Sequence, residues 1–582
     1  MNRRIICAFV CAASFALAGC HARRISAPPM PAAVTPAAAA PVPSLIPGPP
    51  RDLRADGALR GASELLRRGR AAAAAREFHR CLVLEPRRPE CLDGKGRSHA
   101  ALRHWEEAAL AWEELSLIRP DDRKLGARLA AARRSWKAHL ERRARSATHV
   151  DIGTRSIPGR APLNLRLVAR FQRYNPGTTT AADVYDTDID SPKSVHISTD
   201  GTKAYINSLE GARTVIYDAR TFTKRGVIRH SFGPRQAALF PSTAPWFGHS
   251  FSEDLPPGGP NVFQGKPVES AFSHGGRFLW VPYYRRDFDL DGTQPSAAAI
   301  IDTASDAIVR VVPAGPITKN AAASPDGRFM ALAHWGDNSV GLIDISSPNP
   351  PEFSSAAVVA LDTREPPPGS EGVNRDRECG LCVRGLAWSA DARTLLAGCM
   401  GGAGGVAVIN VSAPGGPALS GRVKLGGNPR DLIVSPDGRW LYVSASDTGA
   451  VIRAETAQVI EAAVSTGPAV DISTAAALVG GTPRSMRLSR DGKWLFVALN
   501  ADSQIAAVET AGMTVVARIT VDSFPVGLDL SPDGGFLWVT SQGIDGAGGN
   551  SVEIFAVTTS TAPPHPSPGG PGRLAPIKPP PL

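Results

Sequence analysis

Two hydrophobic patterns divide this chain. Over 61–147, apolar and small residues recur at three- and four-residue spacing, which predicts amphipathic helices. Over 160–560, short apolar runs such as Leu432-Ile433-Val434 and Leu441-Tyr442-Val443 are separated by Gly, Pro and Asp, which predicts short strands joined by tight turns. Residues 21–60 and 561–582 are rich in Pro and Ala or Pro and Gly and lack any core-forming period, so they read as an extended linker and a disordered tail.

The helical segment repeats itself. Leu84-Glu85-Pro86 returns as Ile118-Arg119-Pro120, 34 residues later. In that frame Ala74, Phe78 and Pro86 are answered by Ala108, Trp112 and Pro120, with Gly96 as a further small residue. Small residues let two helices approach, bulky ones fill the gap between them, and Pro ends the second helix. This pattern resembles the tetratricopeptide repeat, departing from it at Ala62 and His99, and the resemblance implies docking of a protein or peptide partner. Two repeats fall short of the roughly three usually needed, so the helix from about Lys124 to Arg145 is expected to act as a cap.

The strand-rich segment repeats seven times. Its units are Ser198-Thr-Asp-Gly201, Ser273-His-Gly-Gly276, Ser324-Pro-Asp-Gly327, Ser389-Ala-Asp-Ala392, Ser435-Pro-Asp-Gly438, Ser489-Arg-Asp-Gly492 and Ser531-Pro-Asp-Gly534. Asp-Gly between apolar runs marks a hairpin, because Gly enters positive φ without strain. Pro192, Pro267, Pro429, Pro483 and Pro525 each stand six residues before the Ser of their unit. The set resembles the YVTN-family, lactonase-like β-propeller and implies seven four-stranded blades. After the last hairpin only one further strand remains, Val552 to Val557, whereas a surplus strand, Leu165 to Gln172, precedes the first unit. That surplus strand is expected to complete the last blade and close the ring. The fold class is therefore multidomain: a small all-α repeat domain followed by an all-β seven-bladed propeller.

The N-terminus adds an address. Arg3-Arg4, an apolar run from Ile5 to Leu17 and then Leu17-Ala18-Gly19-Cys20 form a secretory signal, too short to span a bilayer. Leu-Ala-Gly-Cys resembles the lipobox of bacterial lipoproteins. The resemblance implies cleavage before Cys20 by signal peptidase II, lipidation of Cys20 and a membrane partner held through the acyl chains. His21 is not the Asp that retains such proteins at the inner membrane, so the outer membrane is favoured, facing the periplasm or the surface.

Charge narrows the functional classes. The net charge is +10, but residues 51–150 hold 23 basic and 14 acidic side chains, while residues 151–582 hold 37 and 40. The large β segment is not basic and aromatics are 6% of the chain, so nucleic acid is not an expected partner.

The expected channel supplies the candidate chemistry. Five residues before each Ser stand Lys193, Val268, Lys319, Arg384, Arg430, Arg484 and Val526, and all are expected to converge on one channel mouth. Crowded like charges favour an anion as partner, with an anionic glycan as one such ligand, whereas Glu269 and Asp431 offer internal pairing. His196 is the histidine expected on an inner strand. Asp287, Asp289 and Asp291, followed by Gly292, present alternating oxygens that suit Ca2+, although Ala298 replaces the Glu of an EF-hand. Asp186, Asp188 and Asp190 form a second alternating triad. Insertions at about 230–266 and 347–383 open on the same face as the mouth.

Cysteine usage fits an oxidising compartment. Cys81 and Cys91 are placed to join consecutive helices, and Cys399 is expected to bridge to Cys382 or Cys379. Cys379-Gly-Leu-Cys382 is followed by Val383 and not His, so haem is not expected. No complete catalytic motif stands in the chain, which favours a binding or interaction scaffold in the cell envelope over an enzyme. The alternative implied by the propeller resemblance is a lactonase-like or redox enzyme. Assembly of His196, Glu269 and the Asp287 loop in one metal-assisted pocket at the channel mouth would favour it.

Overall fold

The computed structural model describes residues 53–559, apart from 86–87, 147–153, 157–162, 174–182, 241–244, 250–262, 288, 290–291, 363–373, 377, 403, 466–471 and 544–548. Residues 1–52, on which the expected signal peptide and Cys20 fall, and the expected tail 561–582 lie outside the described residues. No helix among the described residues is long and apolar enough to cross a membrane.

Five helices open the described chain: α1 (Leu53–Arg67), α2 (Ala71–Leu84), α3 (Pro89–Ala101), α4 (Trp105–Ser116) and α5 (Arg123–Ser146). Pro89 starts α3, where its missing N–H leaves no hydrogen bond unmade. The spacing of small and bulky residues acts as expected. A Cβ on Gly96 would lie 2.5 Å from Nε1 of Trp112, and one on Gly94 would overlap the Phe78 ring. Phe78 and Trp112 are buried in two successive cores, the second of which also takes Leu125 and Ala132 of α5. α5 thus packs against α4 through that second core. Cys81 and Cys91 form a disulfide that ties α2 to α3.

Seven sheets follow, and they are the seven blades. Blade 1 is built from Pro192–Ile197, Lys203–Ser208, Arg213–Asp218 and Lys224–Arg229. In blade 2 the inner edge is split into Phe263–Pro267 and Ala271–Ser273. The inner strands of blades 3 to 7 are Thr318–Ala323, Val383–Trp388, Pro429–Val434, Pro483–Leu488 and Pro525–Leu530. Blade 7 takes its fourth strand, Leu163–Gln172, from before blade 1, with Leu165 opposite Val557 and Phe171 opposite Val552. This closure leaves no half-finished blade with an open edge.

The repeated Ser-x-Asp-Gly units form the hairpins between inner and second strands, and their chemistry explains the repetition. In blade 5 the Ser435 hydroxyl donates to Asp437, and in turn accepts the Trp440 N–H at 2.8 Å. Asp437 accepts the Arg439 N–H at 3.1 Å, and Gly438 takes φ +74°. Blades 1, 3, 4, 6 and 7 repeat the Ser-to-Asp bond. Each turn therefore satisfies its own polar groups and leaves the flanking apolar runs to pack between blades.

At the other end of each inner strand the ladder is irregular. Ser191, Ile317, Cys382, Asn428, Thr482 and Phe524, each immediately before an inner strand, hold left-handed backbone with φ between +48° and +59°. A register shift follows at once in the same six blades, between Pro192 and Ser194 in blade 1 and between Pro429 and Leu432 in blade 5, for example. Such bulges release residues from the strict alternation of a strand and turn their side chains in a new direction.

Candidate anion site in the propeller channel

The five cations singled out from the sequence all stand within these irregular stretches. Lys193 falls between the paired residues Pro192 and Ser194, and Lys319 between Thr318 and Asn320. Arg384 lies between Val383 and Leu386, Arg430 between Pro429 and Leu432, and Arg484 between Pro483 and Met486. A cavity of about 320 Å³ is lined by residues from all seven inner edges, among them His196, Glu269, Arg384, Arg430, Arg484 and Arg487. Lys193, Arg384 and Arg484 are only 9%, 6% and 5% exposed.

Pairing within this group is uneven. Arg384 reaches Glu269 at 2.6 Å, joining blade 4 to blade 2. Arg487 meets Asp529 at 2.9 Å. Lys319 turns to the side: its ammonium lies 3.3 Å from Asp376, 4.0 Å from the Tyr284 ring centre and 4.8 Å from that of Trp335. Lys193, Arg430 and Arg484 have no side-chain hydrogen bond or ion pair among the described residues, and the Nε atoms of Arg430 and Arg484 are buried without a partner.

The proton equilibria show what this crowding costs. Burial drives Lys193 and Arg430 well below their ordinary values, and neighbouring cations add to the effect. Burial together with Arg384 brings Arg484 down to about 9, which still leaves it charged at neutral pH. Lys319 falls to about 7 by burial, against the pull of Asp376. Burial pushes the Glu269 carboxyl up, but Arg384, Lys193 and Arg484 outweigh it and hold the group at about 2. One carboxylate therefore serves three nearby cations. Buried charge without a counter-ion is strongly unfavourable, so the site is complementary to added negative charge.

Other candidates are engaged in structure. His196 Nε2 accepts the Ser270 N–H at 3.0 Å, and burial with the charge of Arg487 brings it down to about 3, so it is a neutral acceptor. Asp431 accepts the Met486 N–H at 2.7 Å and Asp529 accepts the Ile197 N–H at 2.8 Å, each strapping one blade to the next. Asp287 accepts the Gln264 N–H at 2.8 Å, and Asp289 accepts the Gly292 N–H at 2.9 Å, closing its own turn. Asp291 lies outside the described residues. Asp287 lines a second cavity and not the channel, so His196 and Glu269 share one site without the Asp287 loop. Of the other acidic triad, Asp186 and Asp188 are bridged by Lys224, and Asp188 also pairs with Arg213.

The insertions contribute packing as well as surface. Trp246 and Phe247 are buried in the core shared by blades 2 and 3, with Arg310 over the Trp246 ring at 5.2 Å. Phe251, Glu253 and Asp254 lie outside the described residues. The end of the second insertion is closed by a disulfide between Cys379 and Cys382. The expected bridge to Cys399 is not made. Val383, and not Cys382, stands opposite Cys399, Cys382 is taken by Cys379, and Cys399 packs in the core between blades 3 and 4 as a buried free thiol.

Arg487, Asp529, Asp376, Tyr284 and Trp335 escaped the sequence reading. Arg487 and Asp529 had a signal: they stand three residues after Arg484 and Val526, as His196 stands after Lys193. Asp376, Tyr284 and Trp335 come from loops and second strands, and only folding brings them to Lys319.

No family model and no curated protein matches this sequence. Among solved structures the chain is similar to Kuenenia stuttgartiensis hydrazine synthase, at 18% identity and a TM-score of 0.44 over 67% of this chain and 99% of that one. It is also similar to the β-propeller domain of Myceliophteria thermophila Cps50 (Swd1), at 15% identity and a TM-score of 0.42 over 63% and 97% of the two chains.

Proposed function

We propose that this chain is a lipid-anchored scaffold of the bacterial cell envelope whose propeller captures an anionic ligand in its channel. The helical hairpins, in this reading tetratricopeptide-like, dock a protein or peptide partner, and Cys20 carries the anchor. The observation that supports the ligand class is the set Lys193, Arg430 and Arg484 on the inner strands, none with a side-chain hydrogen bond or ion pair among the described residues, while the nearby carboxylates are already engaged: Glu269 by Arg384, Asp431 by the Met486 N–H and Asp529 by Arg487. A carboxylate or phosphate entering the roughly 320 Å³ cavity meets guanidinium groups able to grip it through two parallel hydrogen bonds. A single acidic sugar of a glycan is of suitable size and charge.

Calorimetric titration of the full chain in detergent with inorganic phosphate, citrate and a galacturonate oligosaccharide tests this reading. Saturable binding of at least one probe is expected, weaker as salt rises and at least tenfold weaker in Arg484→Gln. Absence of binding by all three, or equal binding by Arg484→Gln, would overturn it.

A further inference from the structure

The turn between α3 and α4 brings together three metal-ligating side chains that the channel reading leaves unused. Arg103 takes φ +60°, reversing the chain so that the His104 N–H donates to the His99 carbonyl at 2.9 Å. The two imidazole rings then face each other at 5.8 Å between centres, 36° from parallel. Glu107 follows His104 by three residues, on the first turn of α4, and so returns to the same side. One donor atom from each of His99, His104 and Glu107 lies within 4.8 Å of the other two.

These donors are available. None of the three side chains makes a hydrogen bond or ion pair among the described residues, and Nδ1 of His99 is buried without a partner. His104 and Glu107 are exposed and can rotate to close the short remaining distance. Donors around a tetrahedral ion with bonds near 2.1 Å stand roughly 3.4 Å apart, which small side-chain rotations from the present arrangement reach.

We infer that His99, His104 and Glu107 form a zinc-class site, with two imidazole nitrogens, one carboxylate oxygen and a fourth position open to water. Two imidazoles select a borderline transition ion over Ca2+ or Mg2+, which prefer all-oxygen sets. The ion would cross-link the end of α3 to the start of α4. His99 and Glu107 also line a cavity of about 340 Å³ with His79, Lys95 and Glu114, so the open position has space for a second ligand.

The test is titration of ZnCl2 alone into untagged, chelator-stripped full chain in detergent, in a buffer without phosphate. One saturable site is expected, with Co2+ giving the visible bands of a tetrahedral complex. His104→Ala and Glu107→Gln, at exposed positions that do not endanger folding, should each weaken that site at least tenfold and abolish the Co2+ bands. No saturable zinc binding, or a site untouched by both substitutions, would overturn the assignment. Phosphate binding in the channel is read separately on the same protein, so either proposal can fail without the other.

Discussion

Nη2 of Arg384 lies 2.6 Å from Oε1 of Glu269, and this one ion pair spans the channel between the fourth and second blades. Both side chains are largely buried, at 8% and 16% exposure. Breaking a buried pair by removing one partner leaves a stranded charge and costs about 3–5 kcal/mol. Glu269→Gln is therefore expected to lower the melting temperature, because Arg384 joins Lys193 and Arg484 without a carboxylate. Phosphate should restore more of that loss in Glu269→Gln than it adds to the parent protein. Thermal melts of both proteins with and without phosphate check this, and an unchanged melting temperature in the variant would remove Glu269 from the network.

Acid should weaken the same network. The folded Glu269 carboxyl sits at about 2 against an ordinary value of 4.5. Because the folded value is depressed, its contribution is fully present above pH 4.5 and is lost as pH falls toward 2. Its size is roughly 3 kcal/mol by the usual conversion of a proton equilibrium to free energy. Denaturant melts between pH 6 and about pH 2.5 should show a steeper loss of stability in the parent than in Glu269→Gln.

The contact between Gly96 and Trp112 sets the spacing of α3 and α4. A side chain at Gly96 drives a Cβ into the Trp112 indole, and overpacking of this kind costs roughly 1–3 kcal/mol. Gly96→Val is expected to loosen the helical hairpins while leaving the blades intact. Hydrogen exchange should show faster amide exchange over 89–116 and unchanged protection over the blade strands. Equal protection in both regions would place the Gly96 contact outside the stability of the hairpins.

Thiol chemistry distinguishes the pairing seen here from the one the sequence suggested. Burial pushes the Cys399 thiol up to about 12, so it should not react with a thiol reagent in the native protein. Unfolding without reductant should release Cys399 alone among Cys81, Cys91, Cys379, Cys382 and Cys399. Mass mapping that found Cys399 in a bridge would contradict this arrangement.

Seven Ser-x-Asp-Gly-type units, the missing last strand and the surplus early one were legible in the sequence. So were a small residue at Gly96 and a bulky one at Trp112, though not their contact. Turn chemistry and strand period act over a few residues, and blade count and closure follow by addition. The seven candidate channel positions were equally visible as a column in the repeat, because each lies at a constant distance from its Ser.

What became of those positions was decided in three dimensions. A left-handed residue and a bulge redirect each cation, and neither leaves a mark in hydrophobic periodicity. Whether a charge finds a partner depends on residues remote in the chain: Arg384 meets Glu269, 115 positions away, while Lys319 is drawn aside by Asp376. The pairing of Cys379 with Cys382 left Cys399 alone, and a single reversed residue, Arg103, brought His99 beside His104. Local pattern determined the elements and their order, because those energies are summed over neighbours in the chain. Charge pairing, thiol pairing and the meeting of metal donors depend on distances of a few ångströms between remote segments, and only the closed ring and the packed hairpins set those distances.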